Sequence, residues 1–289
     1  MSQSKTKILI LGASGMLGST LLRYLSSQSN IDVYGTARSF HSVGTLPKAL
    51  YAHLKLNVDV ENADHLLKVF SDVRPDVVLN CVGIVKQLSE ADDPLTAIPI
   101  NSLLPHRLAK LCAASGARLI HFSTDCVFLG SKGMYKESDF PDATDLYGRS
   151  KLMGEVDYPN AITLRTSLIG HELSGNRSLV SWFLSQSGSI KGFRRAIFSG
   201  LPTVEIARVV HEHVLPNTDL CGLYHLSVDP ISKFDLLRLV ADVYGKSIEI
   251  IPDHQLVIDR SLDSSRFRAA TGFSPQHWSE MVQAMHDFG

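Results

Sequence analysis

The stretch ILILGASGMLGS, Ile8–Ser19, decides how the rest of the chain is read. An apolar run suited to a buried strand gives way at once to Gly12, Gly15 and Gly18, and the residues that follow, MLGSTLLRYLSS, have the apolar spacing of a helix. Glycines at such a junction each answer a physical need: a tight turn, a close approach of backbone to a pyrophosphate, and close packing of helix on strand. Anions also favour the start of a helix, where backbone N–H groups are unpaired and the dipole is positive. The backbone of Gly12, Ser14, Gly15, Met16, Leu17 and Gly18 is therefore a candidate cradle for the phosphates of a dinucleotide. A purely structural turn is the competing reading.

The alternation continues through the first half of the chain. KILIL, IDVYGTA, PDVVLNCVG and ARLIHFS read as strands, and NADHLLKVFSDV and LPHRLAKLCAASG read as helices between them. Strands that are apolar throughout and separated by helices belong to a parallel sheet covered on both faces. Asn62 is expected as a helix N-cap and Gly116 as a helix-ending residue. The expectation is an α/β fold: a Rossmann-type doubly wound parallel sheet over residues 1–166, with a smaller C-terminal substrate lobe over residues 167–289. In that lobe a Ser/Gly-rich stretch from Ser174 to Gly192 encloses LVSWFLSQ and precedes the basic KGFRRAIFSG. TVEIARVVHEHV and SKFDLLRLVADVYG read as helices and GLYHLSV as a strand, and part of the lobe is expected to pack back on the large sheet.

With 289 residues, 44% of them apolar, and a formal net charge of -1, the chain can bury a large core. It offers no strongly basic face to nucleic acid or to an anionic membrane, so a small ligand is the expected partner. No run reaches the ~18 uninterrupted apolar residues of a membrane span. Cys81, Cys112, Cys126 and Cys221 are scattered without C-x-x-C spacing, which argues against zinc and against a disulfide framework and fits a reducing cytoplasm. Lys5 and Lys7 ahead of the first apolar run imitate a signal peptide, but the three glycines in its middle favour the nucleotide-binding reading. No metal site is expected from His121, His171, His211 or His213, since the last two diverge on a helix.

The end of the second strand should distinguish dinucleotides. An NAD-preferring protein usually places an acid there for the ribose hydroxyls, whereas this chain has Thr36, Ala37 and Arg38. A guanidinium suits the 2′-phosphate of NADPH, so NADPH is the expected cofactor, with NADH as the alternative; a solvated surface arginine is the plainer account.

Further on, TDLYGRSKLMGE sets Tyr147 and Lys151 four residues apart, on one face of an expected helix. A phenol with a pKa of about 10 exchanges protons readily near neutrality only when something favours its phenolate, and a neighbouring ammonium does so. Upstream, RLIHFSTDCVF ends a strand at Ser123, Thr124 and Asp125, at the sheet edge where ligands bind in open α/β folds. A hydroxyl there can bond a substrate oxygen. Alone, these residues also fit an exposed helical pair and a capped strand.

Taken together, the glycine stretch, STDCVF and YGRSK resemble the extended short-chain dehydrogenase/reductases in order and separation. HFSTDCVFLGSKGMY, DLYGRSKLMGE and LRTSLIG are similar to the dTDP-4-dehydrorhamnose reductases, which act on 4-keto-6-deoxy sugar nucleotides, and the resemblance is strongest over residues 7–170. It implies a catalytic set of Thr124, Tyr147 and Lys151, with Asp59 and Val60 near the adenine and Cys81, Val82 and Gly83 along the cofactor channel. Ser123 joins the cofactor-binding residues, and Asp125 joins Thr124 toward the substrate. A homodimer through the apolar helices near residues 101–114 and 147–157 is a further implication.

Three departures qualify the resemblance. Cys126 stands where those reductases carry tyrosine after S-T-D; NCVGIVKQ differs from their usual Asn-Ala sequence; and residues 174–195, which should shape the sugar pocket, are distinctive. In the lobe, Trp182 is a candidate to stack on a base, or to be core, and Arg194 or Arg195 to pair with a diphosphate. A 4,6-dehydratase would need a second carboxylate after Asp125, where this chain has Cys126. An epimerase using the same Tyr and Lys, and a non-catalytic dinucleotide-binding regulatory subunit, remain as alternatives.

Overall fold

The computed structural model describes residues 5–86 and 89–289, with only the backbone described at Ser89. The first strand, β1 (Thr6–Leu11), has its last four residues buried and runs into the glycine turn and α1 (Met16–Ser26). There follow β2 (Ile31–Thr36), β3 (Leu54–Lys55), α2 (Ala63–Val73), β4 (Val77–Asn80), α3 (Pro94–Ala97), α4 (Leu104–Ser115), β5 (Arg118–Thr124), α5 (Leu146–Met153) and β6 (Ala161–Thr166). The remainder forms β7 (Leu168–Ile169), α6 (Leu179–Ser185), β8 (Ser189–Phe198), β9 (Leu201–Pro202), α7 (Thr203–Val209), β10 (Gly222–His225), β11 (Ile231–Ser232), α8 (Lys233–Val243), β12 (Glu249–Asp259), α9 (Ser265–Thr271) and α10 (Trp278–Phe288).

The large sheet has seven strands in the order β10-β6-β5-β4-β1-β2-β3. The pairs β2–β3, β1–β2, β1–β4 and β4–β5 are all parallel. Strand order therefore reverses between β1 and β4, the position at which open α/β sheets bind ligands beyond their carboxyl ends. The punctuation read from the sequence holds: the Asn62 side chain accepts from the N–H groups of Asp64 and His65, and Gly116 ends α4 at φ 74. Leu9, Leu11, Val78 and Leu119 from the strands meet Val69, Phe70, Leu104 and Leu108 from α2 and α4 in one core cluster. Each fully buried Leu or Phe of this kind contributes roughly 1.5–3 kcal/mol. GLYHLSV supplies β10 at the edge of this sheet.

Compactness divides the chain into two interleaved units. Unit 1 comprises residues 1–123, 145–164 and 218–223; unit 2 comprises 124–144, 165–217 and 224–289. Within unit 2, KGFRRAIF is the central strand of a three-stranded sheet of order β11-β8-β12. One face of that sheet packs on α8: a Cβ added at Gly192 would come within 2.8 Å of Phe234. Among the described residues, no helix is long and apolar enough to cross a membrane.

Candidate active site

The three glycines at the junction of β1 and α1 are not equivalent. Gly12 sits at φ +86, and a Cβ there would be 3.0 Å from Val82 Cγ2; at Gly18 a Cβ would fall 2.1 Å from the Gly12 carbonyl oxygen. The fold itself requires those two. At Gly15 the nearest atom to an added Cβ is 3.5 Å away, an ordinary contact, so packing makes no such demand there. Gly15 instead caps α1 without a side chain, is exposed, and leaves the helix start open, with no acid in the first turn. That is a cradle a side chain would fill and an anion would suit.

Thr36, at the position where an acid was sought, is buried and bound into the turn. Its Oγ1 accepts from Gly12 N at 3.2 Å, and its carbonyl accepts from Ala13 N at 2.9 Å. Arg38, two residues on, is exposed and has no hydrogen bond or ion pair among the described residues. The chain after β3 runs beside it, since Val58 N donates to Ala37 O at 3.2 Å. Asp59 is exposed there, with Oδ1 accepting from Glu61 N, and Val60 packs against the core.

At the end of β4, Cys81 N donates to Leu11 O at 3.0 Å and ties the Cys81–Gly83 segment to β1. Burial pushes the Cys81 thiol well up, with Lys151 opposing. A Cβ on Gly83 would lie 3.9 Å from Lys151 Nζ, so this glycine stands beside the ammonium. Asn101, in a π-helical turn over Ile98–Leu103, clamps the following backbone: Ile84 N donates to its Oδ1 at 2.9 Å, and its Nδ2 donates to Ile84 O and to Ser150 Oγ, each at 3.2 Å. Ser102 Oγ donates to Ser150 O at 2.8 Å, and Gly154 has no room for a Cβ against the Asn101 carbonyl. Helix α5 is thus pinned from one side.

Asp145 caps α5 by accepting from Gly148 N at 2.8 Å, and it pairs with Lys86 at 2.8 Å. Tyr147 and Lys151 both lie within the helix, as their spacing predicts. Tyr147 is half-buried, whereas Lys151 is 6% exposed and its ammonium donates to Phe122 O at 2.8 Å. Burial lowers the Lys151 pKa to about 8, with Glu155 and then Cys81 opposing. The Ser123 hydroxyl donates to Glu155 Oε1 at 2.6 Å. Below it, Asn80 Oδ1 accepts from Val82 N, so Nδ2 faces His121 Nδ1 at 3.1 Å and assigns the imidazole proton to Nε2. Burial first, then Lys151 and His106, hold His121 well below its usual range, and it is neutral.

The expected residues of unit 2 stand on separate elements: the end of β5, α6 and β8. Thr124 is buried; its Oγ1 accepts from Cys126 N at 3.1 Å and donates to Asp125 Oδ1 at 3.2 Å. Burial raises the Asp125 carboxyl, with Arg260 the strongest opposing group and Lys233 a weaker one. Burial likewise pushes the Cys126 thiol up to about 12. Arg260 Nε donates to Phe128 O at 2.6 Å, and its Nη1 stands 3.8 Å from Cys126 Sγ. Trp182 is half-buried on α6, beside the buried Phe183, and its indole N–H has no partner among the described residues. Arg194 lies 3.9 Å over the Phe234 ring and 3.7 Å from Asp235. Arg195, on the opposite face of β8, is exposed and without a partner among the described residues.

Spacing alone singled out neither Asn80, Asn101, Ser150 and Glu155 in unit 1 nor Lys233 and Arg260 in unit 2. Ser150 and Glu155 stood inside TDLYGRSKLMGE, Asn80 inside NCVGIVKQ and Lys233 inside SKFDLLRLVADVYG, but no local pattern gave any of them a role.

The sequence matches the RmlD substrate binding domain family over residues 6–288. It is 32% identical to a dTDP-4-dehydrorhamnose reductase of Mycolicibacterium smegmatis, over 96% of this chain and 84% of that one. It is 34% identical to the methionine adenosyltransferase 2 subunit beta of Rattus norvegicus, over 83% of this chain and 72% of that one. Among solved structures, a dTDP-4-dehydrorhamnose reductase from Bacillus anthracis in complex with NADP shares the fold, with a TM-score of 0.79 at 22% identity, over 98% of this chain and 99% of that chain.

Proposed function

The chain belongs to the RmlD substrate binding domain family, and from that premise we propose that it reduces a nucleotide-linked 4-keto-6-deoxy sugar with NADPH. The product would serve as a precursor of cell-surface polysaccharide. What carries the reading is the buried Lys151 ammonium: it stands against Gly83 on the same helix as Tyr147, in the unit that also holds the open helix start at Gly15.

The residues present fit the cofactor. Gly15 leaves room for a pyrophosphate, the unpartnered Arg38 suits a 2′-phosphate, and Lys151 has N–H groups beyond the one given to Phe122. Gly12, Ser14, Met16, Leu17 and Gly18 complete the cradle, with Asp59 and Val60 toward the adenine and Cys81, Val82 and Gly83 along the nicotinamide side. When bound, NADPH supplies the hydride to the ketone carbon.

The protein's part is orientation and proton transfer. Tyr147 gives its phenolic proton to the ketone oxygen as that oxygen gains charge, and the Lys151 ammonium stabilises the phenolate left behind. Thr124 turns its hydroxyl from Asp125 to bond a substrate oxygen. Trp182 and Arg195 are candidates for the base and the diphosphate. Residues 1–166 carry the cofactor role and 167–289 the substrate role in this scheme. A homodimer through α4 and α5, whose Leu103 flank and Met153 are exposed, and a cytoplasmic location complete it.

The test is NADPH oxidation against freshly generated dTDP-linked 4-keto-6-deoxy sugars, with oxidation expected in proportion to reduced product. Tyr147→Phe should bind NADPH as the parent does while turnover falls by about 10²- to 10⁴-fold. Product without net oxidation would indicate an epimerase instead. The similarity to methionine adenosyltransferase 2 subunit beta supplies a second reading, a subunit that binds dinucleotide without turnover. NADPH binding without oxidation of any substrate in the panel would favour it.

A further inference from the structure

Glu155 closes the stretch that carries Tyr147 and Lys151, and neither cofactor binding nor proton transfer uses it. Its Oε1 accepts from the Ser123 hydroxyl at 2.6 Å, while the Lys151 ammonium donates to the carbonyl of Phe122 at 2.8 Å. Consecutive residues of β5 thus fix the carboxylate and the ammonium. Lys151 is 6% exposed, so its ammonium has lost most of its hydration, and one carbonyl dipole replaces only part of it.

We propose that Glu155, clamped by the Ser123 hydroxyl, is the counter-charge that keeps the buried Lys151 ammonium cationic and aimed, which makes Glu155 a positioning residue and assigns Ser123 to holding it. The inference rests on the reductase reading of this site. Among the described residues, Cys81 beyond β4, His121 on β5 and Glu155 interact electrostatically with Lys151, and Tyr147 lies one turn earlier on α5. His121 is neutral and Cys81 stays a thiol through burial, so neither offers a compensating negative charge. Of the two groups that oppose the effect of burial on Lys151, Glu155 is the larger.

The sign of the pH effect follows. A lysine brought down to about 8 loses its charge as pH rises through that value, and neutralising Glu155 moves the loss to lower pH. Removing an opposite charge disfavours the ammonium, so Glu155→Gln should lower the titration midpoint of Lys151 by about one unit. Ser123→Ala, which frees the carboxylate without removing it, should move the midpoint less and in the same direction.

The midpoint is measured on the protein without cofactor, by competitive acetylation with acetic anhydride across pH and peptide mass spectrometry of Lys151. In parallel, the alkaline limb of kcat/KM for NADPH and the keto sugar nucleotide should shift acidward in Glu155→Gln. The variant's deficit should then be about fivefold at the parent's midpoint, approach about tenfold above it and shrink as the medium is acidified. Glu155→Asp should recover part of the shift. An unmoved Lys151 midpoint in both Glu155→Gln and Ser123→Ala overturns the inference; should Glu155→Gln not fold, Ser123→Ala alone decides it. A shifted midpoint in a parent that reduces no keto sugar supports the counter-charge and overturns the reductase reading alone.

Discussion

In unit 1 the residues expected to meet the cofactor are backbone segments held by their neighbours, whereas in unit 2 the residues expected to meet the substrate are single side chains on otherwise ordinary elements. Gly12, Gly18, Cys81 and Gly83 are where they are because Thr36, Leu11 and Asn101 hold the chain there. Trp182 and Arg195 extend from α6 and β8 with no partner for the indole N–H or the guanidinium among the described residues. A ligand gripped by backbone demands particular turns, and turns leave a spacing in the sequence. A ligand gripped by separate side chains leaves none.

The sharpest way to break this contrast is at the glycines. Gly18→Ala places a Cβ 2.1 Å from the Gly12 carbonyl, so it should cost at least the roughly 1–3 kcal/mol typical of overpacking and abolish NADPH binding with it. Gly15→Ala meets nothing closer than 3.5 Å and should stay within about 0.5 kcal/mol of the parent's stability while still losing NADPH affinity. Thermal unfolding and cofactor titration on the pair read both effects. Equal stability losses would mean that Gly15 is needed by the fold and not by a ligand.

A smaller effect is expected where unit 1 does use a side chain. Arg38→Asp removes the unpartnered cation and adds repulsion, so the NADPH/NADH ratio of kcat/KM should fall by about 10- to 100-fold, as loss of one charge-assisted hydrogen bond implies. An unchanged ratio removes Arg38 from the site and leaves the glycine cradle as it stands.

The least expected change separates two neighbours in unit 2. Arg195→Ala should raise the KM for the sugar nucleotide by about tenfold, the lower end of the range for a single charge-assisted bond. Arg194→Ala should change it little, because that guanidinium already stacks on Phe234 and faces Asp235. The reverse ranking would show that the partnered arginine, and not the free one, meets the diphosphate.

Legibility in the sequence followed the same line. Asn62 and Gly116 were readable because a cap and a left-handed stop are chemically specific to one position. The Tyr147–Lys151 pair was readable because helical periodicity places it. The two-residue β3 was missed, since so short a strand has no period to detect. Asn101 was missed because its amide serves Ile84 and Ser150, which lie 17 and 49 residues away. Arg260 reaches Phe128 across 132 residues, a separation at which no local pattern carries information. The engagement of the Ser123 hydroxyl by Glu155 was equally hidden, although both residues lay inside stretches that were singled out.

The interleaving of the two units also bears on how the chain is made. Unit 1 takes its last segment from residues 218–223, and the chain passes from one unit to the other five times, first between Ser123 and Thr124 within β5. A nascent polypeptide therefore cannot complete unit 1 when its first 123 residues emerge; most of unit 2 must be synthesised before Gly222 and Leu223 arrive to extend the sheet. Synthesis at about 5–20 residues per second leaves open strand edges exposed for several seconds, a window in which chaperones would act. For the same reason, no single cut exchanges unit 2 with that of a relative: a chimaera needs five junctions, three of them inside the strands β5, β6 and β10.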